Sequence, residues 1–227
     1  MLVTLINAVS VIAGGIAGIL LRKHISEKFR EIVMVSAGLV TLILGIDMTL
    51  NTEAEVLPVL FSLIAGGFIG YRIRIEERVS AIGSGKTGSD SFGIGFLNAS
   101  VLFCSGAMSI VGSINAGLYG DGTLILIKSV MDGFMAVVLA AAYGAGVLLA
   151  SLSVLVYQGF FVIAGSYIAP LLGDSGIAYM AAAGGYLLLM IALGLLGIRK
   201  ISTANFLPAL VLSPIFGYAY SMIGSAL

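Results

Sequence analysis

A chain of 227 residues that is 59% hydrophobic and 10% charged, with 31 glycines, does not have the composition of a water-soluble domain. Such domains carry roughly 25% charged residues and about 7% glycine. Eleven Lys and Arg balance eleven Asp and Glu, which leaves no basic excess for nucleic acid, and a mean hydropathy of +1.14 makes the lipid bilayer the expected partner.

Apolar runs of about 20 residues, the length of a spanning helix, predict an all-α polytopic bundle of about eight transmembrane helices. In chain order they cover Leu2–Leu21, Arg30–Leu50, Val56–Ile75, Phe92–Ile114, Thr123–Ala150, Val154–Leu172, Ile177–Ile198 and Phe206–Ala226. The seam between the fifth and sixth rests only on Ser151, Leu152 and Ser153. After the third, Ile73, Ile75, Val79 and Ile82 among Arg and Glu predict a short amphipathic continuation on the membrane surface. The segment 76–91 then reads as a Gly/Ser linker: Gly85-Lys86-Thr87 lacks the preceding Walker glycine, since Ser80 stands there. Gly112, Gly117, Gly120 and Gly122 mark a break after the fourth span, and 115–123 is a candidate to dip back into the membrane. Pro170, Pro208 and Pro214 are candidate kinks.

Charge orients these spans. Arg22, Lys23, Lys28, Arg30, Arg72, Arg74, Arg78, Lys86, Arg199 and Lys200 all fall on one side of an eight-span bundle, and only Lys128 falls on the other. The positive-inside rule makes the first side cytoplasmic and both termini extracytoplasmic. The cytoplasmic face then carries +5 and the outer side −5, which inclines the reading toward a cation.

The chain also repeats itself. Val11-Ile12-Ala13-Gly14 matches Val162-Ile163-Ala164-Gly165, which pairs Asn7 with Gln158. Leu57-Pro58 and Gly67 match Leu207-Pro208 and Gly217, Gly38 can be laid on Gly185, and Gly95-Phe96, Gly106-Ala107 and Ser113 match Gly133-Phe134, Gly144-Ala145 and Ser151. In an eight-span chain the partners start on opposite sides, so repeat one (about 1–115) and repeat two (about 123–227) form an inverted-topology pair within a single transmembrane domain. Inverted repeats are common in transporters.

The run from Phe103 through Gly112, then Gly117-Leu118-Tyr119-Gly120-Asp121 and Lys128-Ser129-Val130-Met131-Asp132-Gly133, resembles the bacterial family called domain of unknown function 554. Thr4-Leu5-Ile6-Asn7, Tyr157-Gln158-Gly159 and Asn205-Phe206-Leu207-Pro208 fit the same pattern. The resemblance implies a polytopic protein of the bacterial inner membrane, described as a transporter candidate without an agreed substrate.

Ionisable groups inside a bilayer are functional hypotheses by default. Asp132 and Lys128 are one helical turn apart on a single face, as a buried ion pair or as a cation or proton site. Asp47, at the helix end where a carboxylate is disfavoured, is a second claimant on Lys128 or a wet interfacial group. Asn7, Asn98, Gln158 and Ser105 complete the candidate site, either as ligands or as interhelical glue. With one Cys (Cys104) and one His (His24), no disulfide, metal centre or cofactor site is expected. No enzyme constellation stands out. The expected function is a transporter or channel for a small ion or polar solute, with a membrane scaffold or assembly protein as the alternative. Gly14-x-x-x-Gly18 and Gly66-x-x-x-Gly70 are small-residue faces that would permit a homodimer.

Overall fold

The computed structural model describes residues 1–22, 26–78, 90–104 and 107–224. These residues form helices and no strands. The helices are α1 (Leu2–Arg22), α2 (Glu27–Leu50), α3 (Val56–Ile73), α4 (Asp90–Cys104), α5 (Ala107–Leu118), α6 (Thr123–Tyr143), α7 (Gly146–Leu195) and α8 (Pro208–Gly224), with a 3-10 turn at Thr203–Phe206 before α8. Five stretches are long and apolar enough to cross a membrane: α1, α3, α6 and two arms of α7, Gly146–Ile168 and Pro170–Leu195. Helices α4 and α5 meet at 58° and would make a sixth span if they cross as one broken unit.

The pattern of burial is that of a protein dissolved in lipid. Helix α1 buries Thr4, Asn7, Ala8, Gly14 and Gly18 while Leu2, Leu5, Val9, Ile16 and Leu20 are exposed. Helix α6 likewise buries Lys128, Ser129 and Asp132 and exposes Ile127, Val130, Met131 and Phe134. In water this arrangement would be inside out. In a bilayer, large apolar side chains meet acyl chains and small or polar residues let backbones approach. Gly14 and Gly18 pack on the backbone of α6 at Gly133 and Val137, and Gly66 and Gly70 pack on Ala209 and Asn205. Both small-residue faces are therefore covered within the chain.

Sequence and structure differ where helices break. The fifth span ends at Tyr143 rather than Ala150, because Gly144 takes φ 86°, ψ −148°, which a side chain strongly disfavours. The helix restarts at Gly146 and runs straight through the expected seam at Ser151–Ser153. The apolar periodicity of that stretch carries no trace of the break, since a glycine among alanines changes hydropathy little. The turn expected before Ile177 is a kink at Gly173 (φ 58°, ψ −178°) inside α7. The arms on either side share one apolar cluster, Phe161 from the first and Met180 from the second around Ile110 and Ile114 of α5. The fourth span is two helices, with α4 ending at Cys104 and α5 starting at Ala107. Helix α3 stops at Ile73, where Arg74 turns left-handed (φ 57°, ψ 49°), and the continuation at 75–78 is helical but set off from α3 by that turn; Val79 and Ile82 lie outside the described residues. So does most of the Gly/Ser linker, 79–89. Within 115–123, helix α5 continues to Leu118, and Asp121 accepts the backbone N–H of Thr123 at the start of α6 (3.0 Å). Hydrogen bonding by Thr123, through its hydroxyl first and this backbone N–H second, holds the Asp121 carboxyl below the usual range.

At two of these breaks a side chain satisfies a carbonyl at the helix end, as irregular structure in a membrane requires. The Phe103 carbonyl at the end of α4 accepts the Ser109 hydroxyl (2.7 Å), and the Tyr143 carbonyl at the end of α6 accepts the Ser91 hydroxyl (2.8 Å).

Candidate functional site

Asp132 lies nine residues into α6, about 14 Å from its start at 1.5 Å per residue, so the carboxylate sits near the middle of the helix. One oxygen, Oδ1, accepts from Lys128 Nζ at 2.7 Å; the other, Oδ2, accepts from Asn7 Nδ2 at 3.0 Å. All three side chains are buried. The i,i+4 spacing sets the first bond within one helix. The close glycine packing of α1 on α6 brings the second across, because Asn7 lies two turns above Gly14 on the same stripe.

Gln158, on the first arm of α7, is also fully buried and donates through Nε2 to Ser109 Oγ on α5 (3.4 Å). Since Ser109 in turn donates to Phe103, Gln158 supports the break between α4 and α5. Asn7 Oδ1, Thr4 Oγ1, Tyr157 OH, Ser113 Oγ and Gln158 Oε1 are buried and find no hydrogen-bond partner among the described residues. Tyr157 packs against both the cluster that holds Cys104 and Ala136 and the cluster that holds Ile110 and Phe161. Of these, Asn7 Oδ1 belongs to the amide that donates to Asp132, and an unpaired acceptor beside a buried ion pair is unusual in a folded interior.

The remaining candidates separate from this centre. Asp47 is exposed and accepts the Asn51 amide (Nδ2 to Oδ1, 2.6 Å); Lys128 is held by Asp132 instead, so Asp47 makes no second claim on it. Asn98, on α4, makes no hydrogen bond to Asp132 among the described residues. It lines a separate cavity of about 240 Å3 instead. Ser105 lies outside the described residues.

The same cavity exposes a pair that sequence reasoning missed. Glu76 and Asn205 clasp each other's segments: Glu76 N–H donates to Asn205 Oδ1 (3.1 Å), and Glu76 Oε2 accepts Ala204 N–H (3.1 Å). Glu76 read as one more charge in a basic linker; only the resemblance motif around Asn205 hinted at its partner. Burial raises the Glu76 carboxyl above its ordinary range, against the Ala204 hydrogen bond and the Lys200 charge, which lower it. A carboxyl raised in the folded state is favoured in its protonated form, so its contribution to stability is full at low pH and falls as pH rises through the folded-state value. Glu76→Gln, which keeps the acceptor for Ala204, is therefore expected to melt at or above the parent at pH 7, with the gap closing toward pH 4. Thermal melts across that range check this; a parent that gains on the variant as pH rises would contradict it.

The chain matches the family described as "Protein of unknown function (DUF554)" over residues 2–218. It belongs to that family. DUF554 relatives include the "Uncharacterized membrane protein YdfK" of Bacillus subtilis (strain 168), 32% identical with 97% of each chain covered. The "Uncharacterized protein YqgA" of Escherichia coli (strain K12) is 32% identical, with 92% of each covered. No solved structure matches this DUF554 chain.

Proposed function

We propose that this protein moves a small ion or small polar solute across the bacterial cytoplasmic membrane, as a transporter or channel built from an inverted repeat. The observation that carries the reading is the Asn7–Asp132–Lys128 constellation, buried at mid-helix beside unpaired acceptors. A carboxylate and an ammonium are costly in a bilayer, and charges retained there commonly serve ions or protons. A coupling cation would compete with the Lys128 ammonium for Asp132, or a proton would neutralise the carboxylate. The unpaired oxygens of Asn7 and Thr4 add acceptors suited to a cation.

Residue-level pairings support the repeat. Pro58 and Pro208 both stand in the first turn of their helices, where a missing N–H costs nothing. Gly38 meets Leu195 and Leu196, while its mate Gly185 meets Gly45, Met48 and Thr49, the exchange a two-fold relation would make. Asn7 and Gln158 reach polar groups on the two central elements, α6 and α5. The matched pairs Gly106-Ala107 and Gly144-Ala145 fall at the two helix breaks, after Cys104 and after Tyr143. Adding α2, the bent α4–α5 pair and α8 to the five stretches of spanning length yields eight spans, with the basic loops cytoplasmic and both termini outside.

The test is flux into liposomes holding the purified chain, with imposed proton, sodium and potassium gradients and a panel of small polar solutes. The expected result is gradient-driven flux that Asp132→Asn reduces at least about tenfold while the variant still folds. Absence of flux across the panel, with stable partner proteins in pull-downs, would favour a scaffold.

A further inference from the structure

At the end of the bundle that carries Arg22, Arg199 and Lys200, the cavity of about 240 Å3 runs between α2, α4 and the second arm of α7. Asn98 lines its wall. Its side chain is 7% exposed and makes no hydrogen bond among the described residues, so an amide faces this space with donor and acceptor unused. Glu76 and Lys200 also line it, and among the described residues no ion pair joins them. Glu76 is engaged through Oε2 by Ala204 N–H, which fixes the carboxylate and leaves Oε1 for a ligand. The rest of the lining is largely apolar, with Leu97, Met190 and Ile191 prominent.

We infer that this cavity binds a small apolar amino acid as its zwitterion, the α-ammonium on Glu76, the α-carboxylate on Lys200, and Asn98 bridging polar groups beneath the side chain. The charges argue for this class. A simple cation would meet the Lys200 ammonium, a simple anion would meet the Glu76 carboxylate, and a neutral apolar molecule would leave the half-buried Glu76 carboxylate unpaired. Size argues the same way. At roughly 30 Å3 per water the cavity holds about eight waters, room enough for a leucine or methionine, and falls below the roughly 300 Å3 at which drug-sized pockets begin. The site is separate from Asp132, which would serve coupling rather than recognition. The inference deepens the transport reading by naming a solute class, and rests on it only for the steps after binding.

Equilibrium binding of radiolabelled leucine and methionine to the full chain in lipid nanodiscs tests this. At least one is expected to bind saturably. In competition, 4-methylpentanoate, which lacks the ammonium, and 3-methylbutylamine, which lacks the carboxylate, are expected to be at least about tenfold weaker, since each leaves one charged group without its partner. Glu76→Gln and Lys200→Gln are expected to weaken binding by a similar factor, while Lys200→Arg retains it. Monodisperse elution and a melt no lower than the parent's qualify each variant; the competition series on the parent needs no variant. Failure of both amino acids to bind, equal affinity for the single-charge analogues, or folded Glu76→Gln and Lys200→Gln variants that bind as the parent would overturn the site. Binding without flux would sink the transport reading and leave the site standing, whereas ion flux without amino-acid binding would do the reverse.

Discussion

Asp132→Ala is expected to destabilise the folded protein by about 3–5 kcal/mol, the usual cost of stranding one member of a buried ion pair. Lys128 is buried, and its ammonium has Asp132 as its hydrogen-bond partner. Asn7 Nδ2 would lose its acceptor in the same step. The double replacement Asp132→Leu with Lys128→Met is expected to recover most of that loss. It removes both charges and fills the space with side chains that need no partner, and buried pairs often return no more than their desolvation costs. Asn7→Ala should fall between, at about 1.5–3 kcal/mol for one hydrogen bond to a charged group. Denaturant titration in mixed micelles measures all three. Stability and function then separate: the double variant is expected to fold and to carry no flux. Full flux from the double variant would reduce the pair to a packing device.

Much of this organisation can be read from residue types, because the bilayer imposes a coarse rule that composition reveals. Apolar runs locate the helices to within a few residues at Leu2, Leu50, Val56 and Thr123. The Lys128–Asp132 pair is readable because i,i+4 neighbours share a face whatever surrounds them. Asn7 is harder: its repeat relation to Gln158 marks it as special but says nothing of Asp132, which depends on the rotation of α1 against α6. The helix break at Gly144 leaves little trace, because a dihedral change at a glycine does not alter hydropathy. The Glu76–Asn205 clasp joins segments 129 residues apart through two backbone groups, and no side-chain pattern encodes which N–H will be available. Asn98 shows the opposite failure. Its identity as an intramembrane amide is plain, yet it faces the cavity beside Glu76 rather than the ion pair, since one step around α4 changes which neighbour it meets.

Gly14→Ala is expected to damage the fold while leaving every charge in place. An added Cβ would fall within the Gly133 carbonyl, and that atom belongs to backbone in the middle of α6, which cannot swing aside as a side-chain tip can. The helices must separate, and overpacking of this kind typically costs about 1–3 kcal/mol. The consequence extends beyond stability. Asn7 and Gly14 share the face of α1 that meets α6, so a shift that relieves the clash draws Asn7 Nδ2 away from Asp132. Gly14→Ala should therefore resemble Asn7→Ala in flux as well as in stability, although it lies about 10 Å farther along the helix at 1.5 Å per residue. Gly159→Ala is the matched control. It adds the same methyl to the first arm of α7, where Met1 Cε at 3.7 Å is the nearest atom, and replacing a mid-helix glycine lowers backbone entropy by up to about 1 kcal/mol. The control should melt at or above the parent and carry normal flux. Equal damage from the two alanines would mean that helix propensity rather than the α1–α6 approach governs the response. Damage confined to Gly14→Ala, with flux lost alongside stability, would tie the glycine stripe directly to the geometry of the buried carboxylate.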